Sequence, residues 1–456
     1  MKNKIIQKVE NRAFPRIKTK LLIRTPDGVT GEVVNMSEGG ICFSLEKPMR
    51  TQKCPVIIEL PTQPVKVEVQ LKWNGGECDK DRKNFYGAKV ATFDSTVNTA
   101  LRRYMVSRQF RHAVIGIKKK IIRKEILKLA KNFRDYLFKL AELSSLIERK
   151  RVNQEDILRQ LTSYTNEIVL KCDEMKGRIN DKLIVDRLKS DFRALVGSWA
   201  YKSHIVKRGL DKPRGYPGDY RLIEVIYDKQ VCSIKDNLGY YFDLYFLNNP
   251  YAEAVRNRKD RLRDILKEYL SKREGQTKIL NVACGSCREI RELFENANKS
   301  LLKKDVNFLC LDWDEDALNF SREKMKNLAG NIEINFIKEN VMVFVKNDEF
   351  FKSAGKQDMI YSIGLADYMP DRILKKMIKN LLKGLNKGGR FIIAHKDKEI
   401  IFPHLPPEWF CDWVFFDRNE KDLVKLIKEV GIDNYTLNVE REKSGQIFFI
   451  TLTKES

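Results

Sequence analysis

The sequence predicts a multidomain protein: an N-terminal antiparallel β-barrel over residues 1–110, a helical middle region over 111–208, and an α/β domain with a mostly parallel sheet over 209–456. Three observations predict it. Short β-branched runs recur about every ten residues between Lys18 and Ala91. A heptad rhythm follows in a segment without proline, and beyond about residue 255 strands alternate with helices.

The barrel rests on runs at Leu21–Ile23, Gly31–Val34, Ile41–Phe43, Val56–Leu60, Val65–Trp73 and Tyr86–Ala91. Turn clusters separate them, among them Pro26-Asp-Gly28, Glu38-Gly-Gly40 and Asn74-Gly-Gly76, and an amphipathic helix from Ser95 to Phe110 is expected to close the domain. In the middle region Ile122, Ile126, Leu129, Phe133, Tyr136, Leu140, Leu143 and Ile147 step by alternating fours and threes, a heptad seam. A second stripe runs Ile157, Leu161, Tyr164, Ile168, Cys172, Met175, Ile179, and a third helix is expected from Leu183 to Trp199. The seam reads as a bundle packed on its neighbours or, alternatively, as a stalk through which two chains form a homodimer. The α/β pattern places strands at Lys278–Ala283, Asn307–Asp312, Asn335–Lys338, Asp358–Ser362 and Arg390–His395, with helices between them. A late pair near Tyr435–Val439 and Gln446–Thr453 is expected to form an antiparallel edge.

At 456 residues the chain exceeds one binding module, since a domain takes roughly 150 residues. Hydrophobic residues at 43% supply ordinary cores and charged residues at 32% a solvated surface, which excludes wholesale disorder. No apolar run approaches the ~18 residues of a membrane span, and the start at Met1 has no apolar signal segment, so a cytoplasmic location is expected. Nine cysteines in no framework spacing read as buried thiols. The net charge of +24 suggests a polyanionic partner. It divides as +9 in residues 1–108, +12 in 109–210 and only +3 in 211–456, so chemistry in the last domain need not involve a polyanion.

Arg12-Ala-Phe-Pro-Arg16 offers two guanidinium forks suited to phosphate or to a guanine edge. Asn35-Met-Ser-Glu-Gly-Gly40 adds an amide, a hydroxyl and free backbone donors in a tight turn. RxxxR followed by NxSxxG inside a barrel resembles the PilZ domain, which binds cyclic di-GMP. The resemblance implies that Arg12 and Arg16 hold the phosphates and guanine edge while Asn35, Ser37 and Gly40 line the opposite lip.

A second motif, Ile279-Leu-Asn-Val-Ala-Cys-Gly-Ser-Cys-Arg-Glu289, lies at a strand-to-helix turn. Asp312 and Trp313 follow the second strand, Asn340 and Val341 the third, and Ser362 the fourth, all at the carboxyl edge where open α/β sheets bind ligands. This order resembles the class I S-adenosylmethionine-dependent methyltransferases, with a Rossmann-like fold. It implies cofactor contacts from Asn281, Ala283, Gly285, Asp312, Trp313, Asn340, Val341 and Ser362. The pattern departs at Asn281, where an acid is usual, and in keeping only Gly285 of a glycine-rich turn. Cys284 and Cys287 read as turn residues, and no metal is expected.

The segment after the fourth strand, Ser362-Ile-Gly-Leu-Ala-Asp-Tyr368, lacks the Pro-Pro-aromatic loop of base methylation, so nucleic acid is not the expected acceptor. Lys212-Pro-Arg-Gly-Tyr-Pro-Gly-Asp-Tyr220, Ala254-Val-Arg-Asn-Arg258, Gly364-Leu-Ala-Asp-Tyr368 and Glu408-Trp-Phe-Cys-Asp-Trp413 with Arg418 together resemble a bacterial family of 3-hydroxy fatty acid methyl ester synthesis. The resemblance implies a small hydrophobic acid as acceptor. A carboxylate is already ionised at neutral pH and needs orientation rather than a base. Arg214, Tyr216 and Arg418 are the candidates to orient it, Trp409, Trp413 and Phe415 line an apolar path, and Asp219 is a further candidate for substrate binding. For a hydroxyl or amine acceptor, His395 or Asp367, beside Tyr368, is the candidate base. Two other readings stand beside this one: a cyclic di-GMP effector with a relic catalytic domain, and an RNA- or protein-modifying methyltransferase.

Overall fold

The computed structural model describes residues 17–37, 40–78, 83–91, 95–114, 117–149, 153–400, 406–431 and 433–455. They form two compact units. The first takes the described residues up to Leu210 with Cys232–Tyr245 and Pro406–Asp412; the second takes Asp211–Val231 and the described residues of 246–405 and 413–456.

In the first unit six strands, β1 (Ile17–Arg24), β2 (Thr30–Ser37), β3 (Gly40–Leu45), β4 (Lys53–Glu59), β5 (Pro64–Cys78) and β6 (Lys83–Val90), close a barrel in the order β1-β2-β3-β6-β5-β4. Every neighbouring pair is antiparallel. Burial alternates strictly along β1, which turns Ile17, Leu21 and Ile23 inward to meet Val33, Phe43, Ile58, Val67, Val69 and Tyr86. The turn expected at Asn74-Gly-Gly76 is instead an irregularity inside β5, whose register against β6 shifts between Asn74 and Glu77. Glycines in a strand mark bulges as readily as turns.

Four helices follow: α1 (Ser95–Val114), α2 (Lys120–Glu148), α3 (Gln154–Ile179) and α4 (Lys182–Ala200). The Asn153 side chain caps α3 by accepting from the Glu155 amide, and Asp181 caps α4 by accepting from that of Ile184. The heptad residues of α2 from Ile126 to Leu143 are buried against partners of the same chain. Phe133 packs on Phe192 of α4 at 4.9 Å, and the Tyr136 hydroxyl meets that of Thr165 of α3 at 2.9 Å. The seam is thus covered within one chain.

The second unit is built on a seven-stranded sheet of β7 (Thr277–Val282), β8 (Val306–Asp312), β9 (Ile332–Lys338), β10 (Gln357–Ser362), β11 (Leu385–Lys396), β12 (Tyr435–Arg441) and β13 (Ile447–Lys454). The order is β12-β13-β11-β10-β7-β8-β9. β7 to β11 run parallel, and β13 and β12 add the antiparallel edge. The helices that matter below are α5 (Tyr220–Tyr227), α6 (Pro250–Ser271), α7 (Arg288–Glu295), α8 (Glu315–Met325), α9 (Asp371–Lys383) and α10 (Glu420–Lys428). Helix α6 starts where Asn249 caps it and Pro250 takes the first turn. Leu280, Val282, Ile360, Phe391 and Ile393 of the sheet pack against Leu374, Ile378 and Leu381 of α9 and Leu423 of α10. Strand order reverses between β7 and β10, so the carboxyl ends of these two strands frame the crevice in which such sheets bind ligands.

Candidate active site

The turn leaving β7 is held in an unusual backbone shape. Ala283, Gly285 and Cys287 all have positive φ, at 57°, 53° and 47°. For the two residues with side chains this costs about 1 kcal/mol or more each, and such strain persists where the surroundings over-determine it. They do so here. The Cys284 amide donates to the Leu311 carbonyl at 3.0 Å, the Gly285 amide to Asp312 Oδ2 at 2.8 Å, and the Ser321 hydroxyl to the Gly285 carbonyl at 3.0 Å. Asp312 is buried and also accepts from the Asp314 amide at 2.9 Å, and burial raises its pKa.

This turn fits a cationic nucleoside cofactor on three counts. A Cβ placed on Gly285 would meet nothing within 4 Å, so the turn opens onto free space. Asp314 Oδ2 is buried without a hydrogen-bond partner. Trp313 is 51% exposed beside these carboxylates, with the Tyr216 ring 5.9 Å away. Of the other expected cofactor residues, the exposed Asn340 turns its side chain back to the Met342 amide at 2.9 Å, and Val341 packs against the sheet core. The Ser362 hydroxyl is buried and donates to the Val282 carbonyl at 2.9 Å, which leaves it tying β10 to β7. Asn281 is also turned inward. Its amide donates to Glu289 Oε1 at 2.9 Å, as does the Tyr361 hydroxyl at 2.9 Å. Burial pushes the Glu289 carboxyl up to about 8. A carboxyl therefore stands beside Asn281, from a residue eight positions later in the first turn of α7.

On the other side of the crevice an aromatic wall forms. The Trp413 indole N–H donates to the Tyr368 hydroxyl at 2.8 Å; Phe415 lies 5.5 Å from Tyr368, 5.7 Å from Trp413 and 5.8 Å from Tyr251. The Tyr368 phenol is raised well above its usual range, chiefly by burial. Tyr216 is raised likewise, by burial and then by Asp312 and Asp314. Asp219 caps α5, accepting from the Leu222 amide at 3.1 Å, and Arg214 pairs with Asp316 and lies 3.7 Å from Asp314.

Three expectations change. His395 is fully buried, and both its ring nitrogens are engaged: Nδ1 stands 2.6 Å from the Lys396 carbonyl and 3.3 Å from Asp367 Oδ1, and Nε2 stands 3.1 Å from Arg418 Nη1. A guanidinium only donates, so Nε2 accepts and the proton sits on Nδ1. The ring therefore has no lone pair left for a substrate proton. Arg418 is equally committed, to Asp371, to the Ala366 and Met369 carbonyls, and to His395, so it braces the loop after β10 and has no donor left for an acceptor. Trp409 is fully buried in the first unit, edge-on to Phe192 at 5.8 Å, which makes it part of that core. In the barrel the Ser37 hydroxyl donates to the Gly40 carbonyl at 3.3 Å, and Asn35 lies in β2. Arg12 and Arg16 fall outside the described residues. The residue not singled out from sequence is Arg258 of α6, buried beside Gly364. Its signal was present in the segment Ala254–Arg258, but no spacing rule assigns a helix residue to a sheet edge.

Residues 273–431 match a family model described as a methyltransferase domain. No curated protein matches the chain significantly. Among solved structures, a possible exported protein from Bordetella parapertussis is 16% identical, over 70% of this chain and 97% of that one, with a TM-score of 0.40. Magnesium protoporphyrin IX methyltransferase from Synechocystis PCC 6803 is 13% identical over 45% and 85% of the two chains, with a TM-score of 0.32. The PH0226 protein from Pyrococcus horikoshii OT3 is 19% identical over 44% and 91%, at 0.33. Likenesses at this level add nothing to the assignment. Residues 273–431, most of which lie in the second unit, thus carry a methyltransferase domain.

Proposed function

We propose that the enzyme transfers the methyl group of S-adenosylmethionine to the carboxylate of a small hydrophobic acid of the 3-hydroxy fatty acid type, and that cyclic di-GMP bound to the barrel controls it. The cofactor supplies an electrophilic methyl group on a sulfonium. The chain's own part is to hold it at the Ala283–Cys287 turn, with Asp312 and Asp314 presenting negative charge and Trp313 and Tyr216 shielding one side.

The acceptor class is carried by one observation: His395, at the end of β11, has no free lone pair, so among the described residues an acceptor that must lose a proton finds no imidazole base there. A carboxylate arrives without that proton, and positioning and exclusion of water then supply the catalysis. The wall of Tyr251, Tyr368, Trp413 and Phe415 suits an apolar tail. Control by cyclic di-GMP is supported by the closed barrel and by the resemblance of its RxxxR and NxSxxG segments.

The test is incubation of the purified protein with methyl-labelled S-adenosylmethionine and 3-hydroxy acids of increasing chain length, with the products resolved by mass spectrometry. Methyl esters are expected. Label on the hydroxyl oxygen, or transfer only to RNA or protein, would overturn the acceptor assignment.

A further inference from the structure

We infer that Arg258 seats the acceptor's carboxylate, its guanidinium facing the loop after β10 at Gly364. This deepens, and rests on, the reading of the domain as a carboxylate methyltransferase. Arg258 is only 7% exposed, and its Nε has no hydrogen-bond partner. A Cβ on Gly364 would stand 3.7 Å from Nη2 and 3.9 Å from Nη1, so the end of the guanidinium faces a residue with no side chain. The Tyr227 hydroxyl, Tyr251 and Asp367 lie near enough to act on its charge. Asp367 Oδ1, however, is engaged by His395 and the Lys396 amide.

A buried cation whose nearest counter-charge, Asp367, is not in ion-pairing contact with it is compensated only in part for the water it has lost. Nearly every other buried arginine or lysine of this unit has its carboxylate: Arg291 has Glu224 at 2.9 Å, Lys259 has Glu292, Lys396 has Asp417 at 2.7 Å and Arg418 has Asp371 at 2.6 Å. Arg258 has none among the described residues, and it stands at the carboxyl edge where strand order reverses. An anionic ligand completes it. The aromatic wall beginning at Tyr251 then receives the apolar remainder of the acid.

The reaction balances with no further participant. An oxygen lone pair of the bound carboxylate forms the new O–CH3 bond, the methyl–sulfur bond breaks, its electron pair stays on sulfur, and no proton moves. The cationic sulfonium becomes a neutral thioether and the anion a neutral ester. The ester no longer draws on Arg258, which favours release.

The experiment compares 3-hydroxydecanoate with its uncharged primary amide, binding to the full chain in the presence of S-adenosylhomocysteine. The wild type is expected to prefer the acid by about 10- to 100-fold, the range for hydrogen bonds to a charged group. In Arg258→Met the preference should vanish, in Arg258→Lys it should partly return, and affinity for S-adenosylhomocysteine should stay within twofold in both. Retention of the acid preference in Arg258→Met overturns the assignment of Arg258 and leaves the carboxylate reading standing. A wild type that neither prefers nor methylates any acid overturns both. An Arg258→Met protein that loses S-adenosylhomocysteine binding as well assigns Arg258 to the structure of the crevice and also overturns the inference.

Discussion

Glu289 shows how a buried carboxyl is held. Asn281 stands where an acid is usual, and its amide, with the Tyr361 hydroxyl, holds the Glu289 carboxyl in full burial. A raised carboxyl pKa has a definite consequence for stability. The folded protein keeps this proton up to about pH 8, while the unfolded chain releases it near 4.5. Between those values the native state binds more protons than the unfolded one, so this group's contribution is complete below about 4.5 and is lost as pH rises through 8. For one proton the loss is at most about 1.4 kcal/mol per pH unit. Glu289→Gln keeps an oxygen acceptor for Asn281 and Tyr361 and removes the titration. Urea denaturation at pH 6 and pH 8.5 should show the variant gaining on the wild type at the higher pH; equal differences at both would reject the buried carboxyl. Asn281 was legible in the sequence as a departure. Glu289 was not, because its role depends on α7 folding its first turn back over β7, and the same holds for the bond that removes His395 as a base.

At the scale of elements, most of the architecture was legible. The heptad in α2 falls where its period put it. A period defines which face is buried and not what buries it, which is why the α2 seam left a stalk as an alternative to a bundle. Turns are less legible still, since glycine marks both close approach and open space. Gly218 and Gly285 separate the two cases. Both have positive φ, but a Cβ on Gly218 would fall 2.3 Å from the Trp413 ring, whereas one on Gly285 meets nothing. Gly218→Ala should therefore cost about 2–4 kcal/mol, combining backbone strain with overpacking, and should displace the indole from Tyr368. Gly285→Ala should cost only about 1 kcal/mol while weakening S-adenosylmethionine binding more than tenfold. Thermal melts paired with calorimetry on the two variants check both halves. A Gly285→Ala protein with unchanged cofactor affinity would place the cofactor elsewhere.

For the molecule as a whole, contacts cut across sequence order. Five chain crossings join the units, and Cys232–Tyr245 and Pro406–Asp412 belong with the first although the second surrounds them in sequence. No composition shift marks those short segments, so they were not legible. Glu408, for example, pairs with Lys176 of α3 at 2.9 Å and with the buried Lys189 of α4. The charge was more informative: its excess of +9 and +12 lies in residues 1–210, and the catalytic part is close to neutral. A dinucleotide partner and an RNA partner use that excess differently. Binding of cyclic di-GMP engages two phosphates and should weaken modestly with salt, whereas RNA contacting many phosphates loses affinity steeply. The proposed control adds a stronger constraint. If cyclic di-GMP changes the affinity for S-adenosylmethionine by some factor, S-adenosylmethionine must change the affinity for cyclic di-GMP by the same factor, commonly about 5- to 150-fold where sites are coupled. Calorimetry on the full chain, titrating each ligand with and without the other, should return equal factors. Arg12→Ala and Arg16→Ala should abolish the cyclic di-GMP isotherm and leave that of S-adenosylmethionine unchanged. Factors of one in both directions, with turnover of the acid also unchanged, would leave the barrel without control over the methyltransferase while the site at Gly285 and Asp312 stood unaffected.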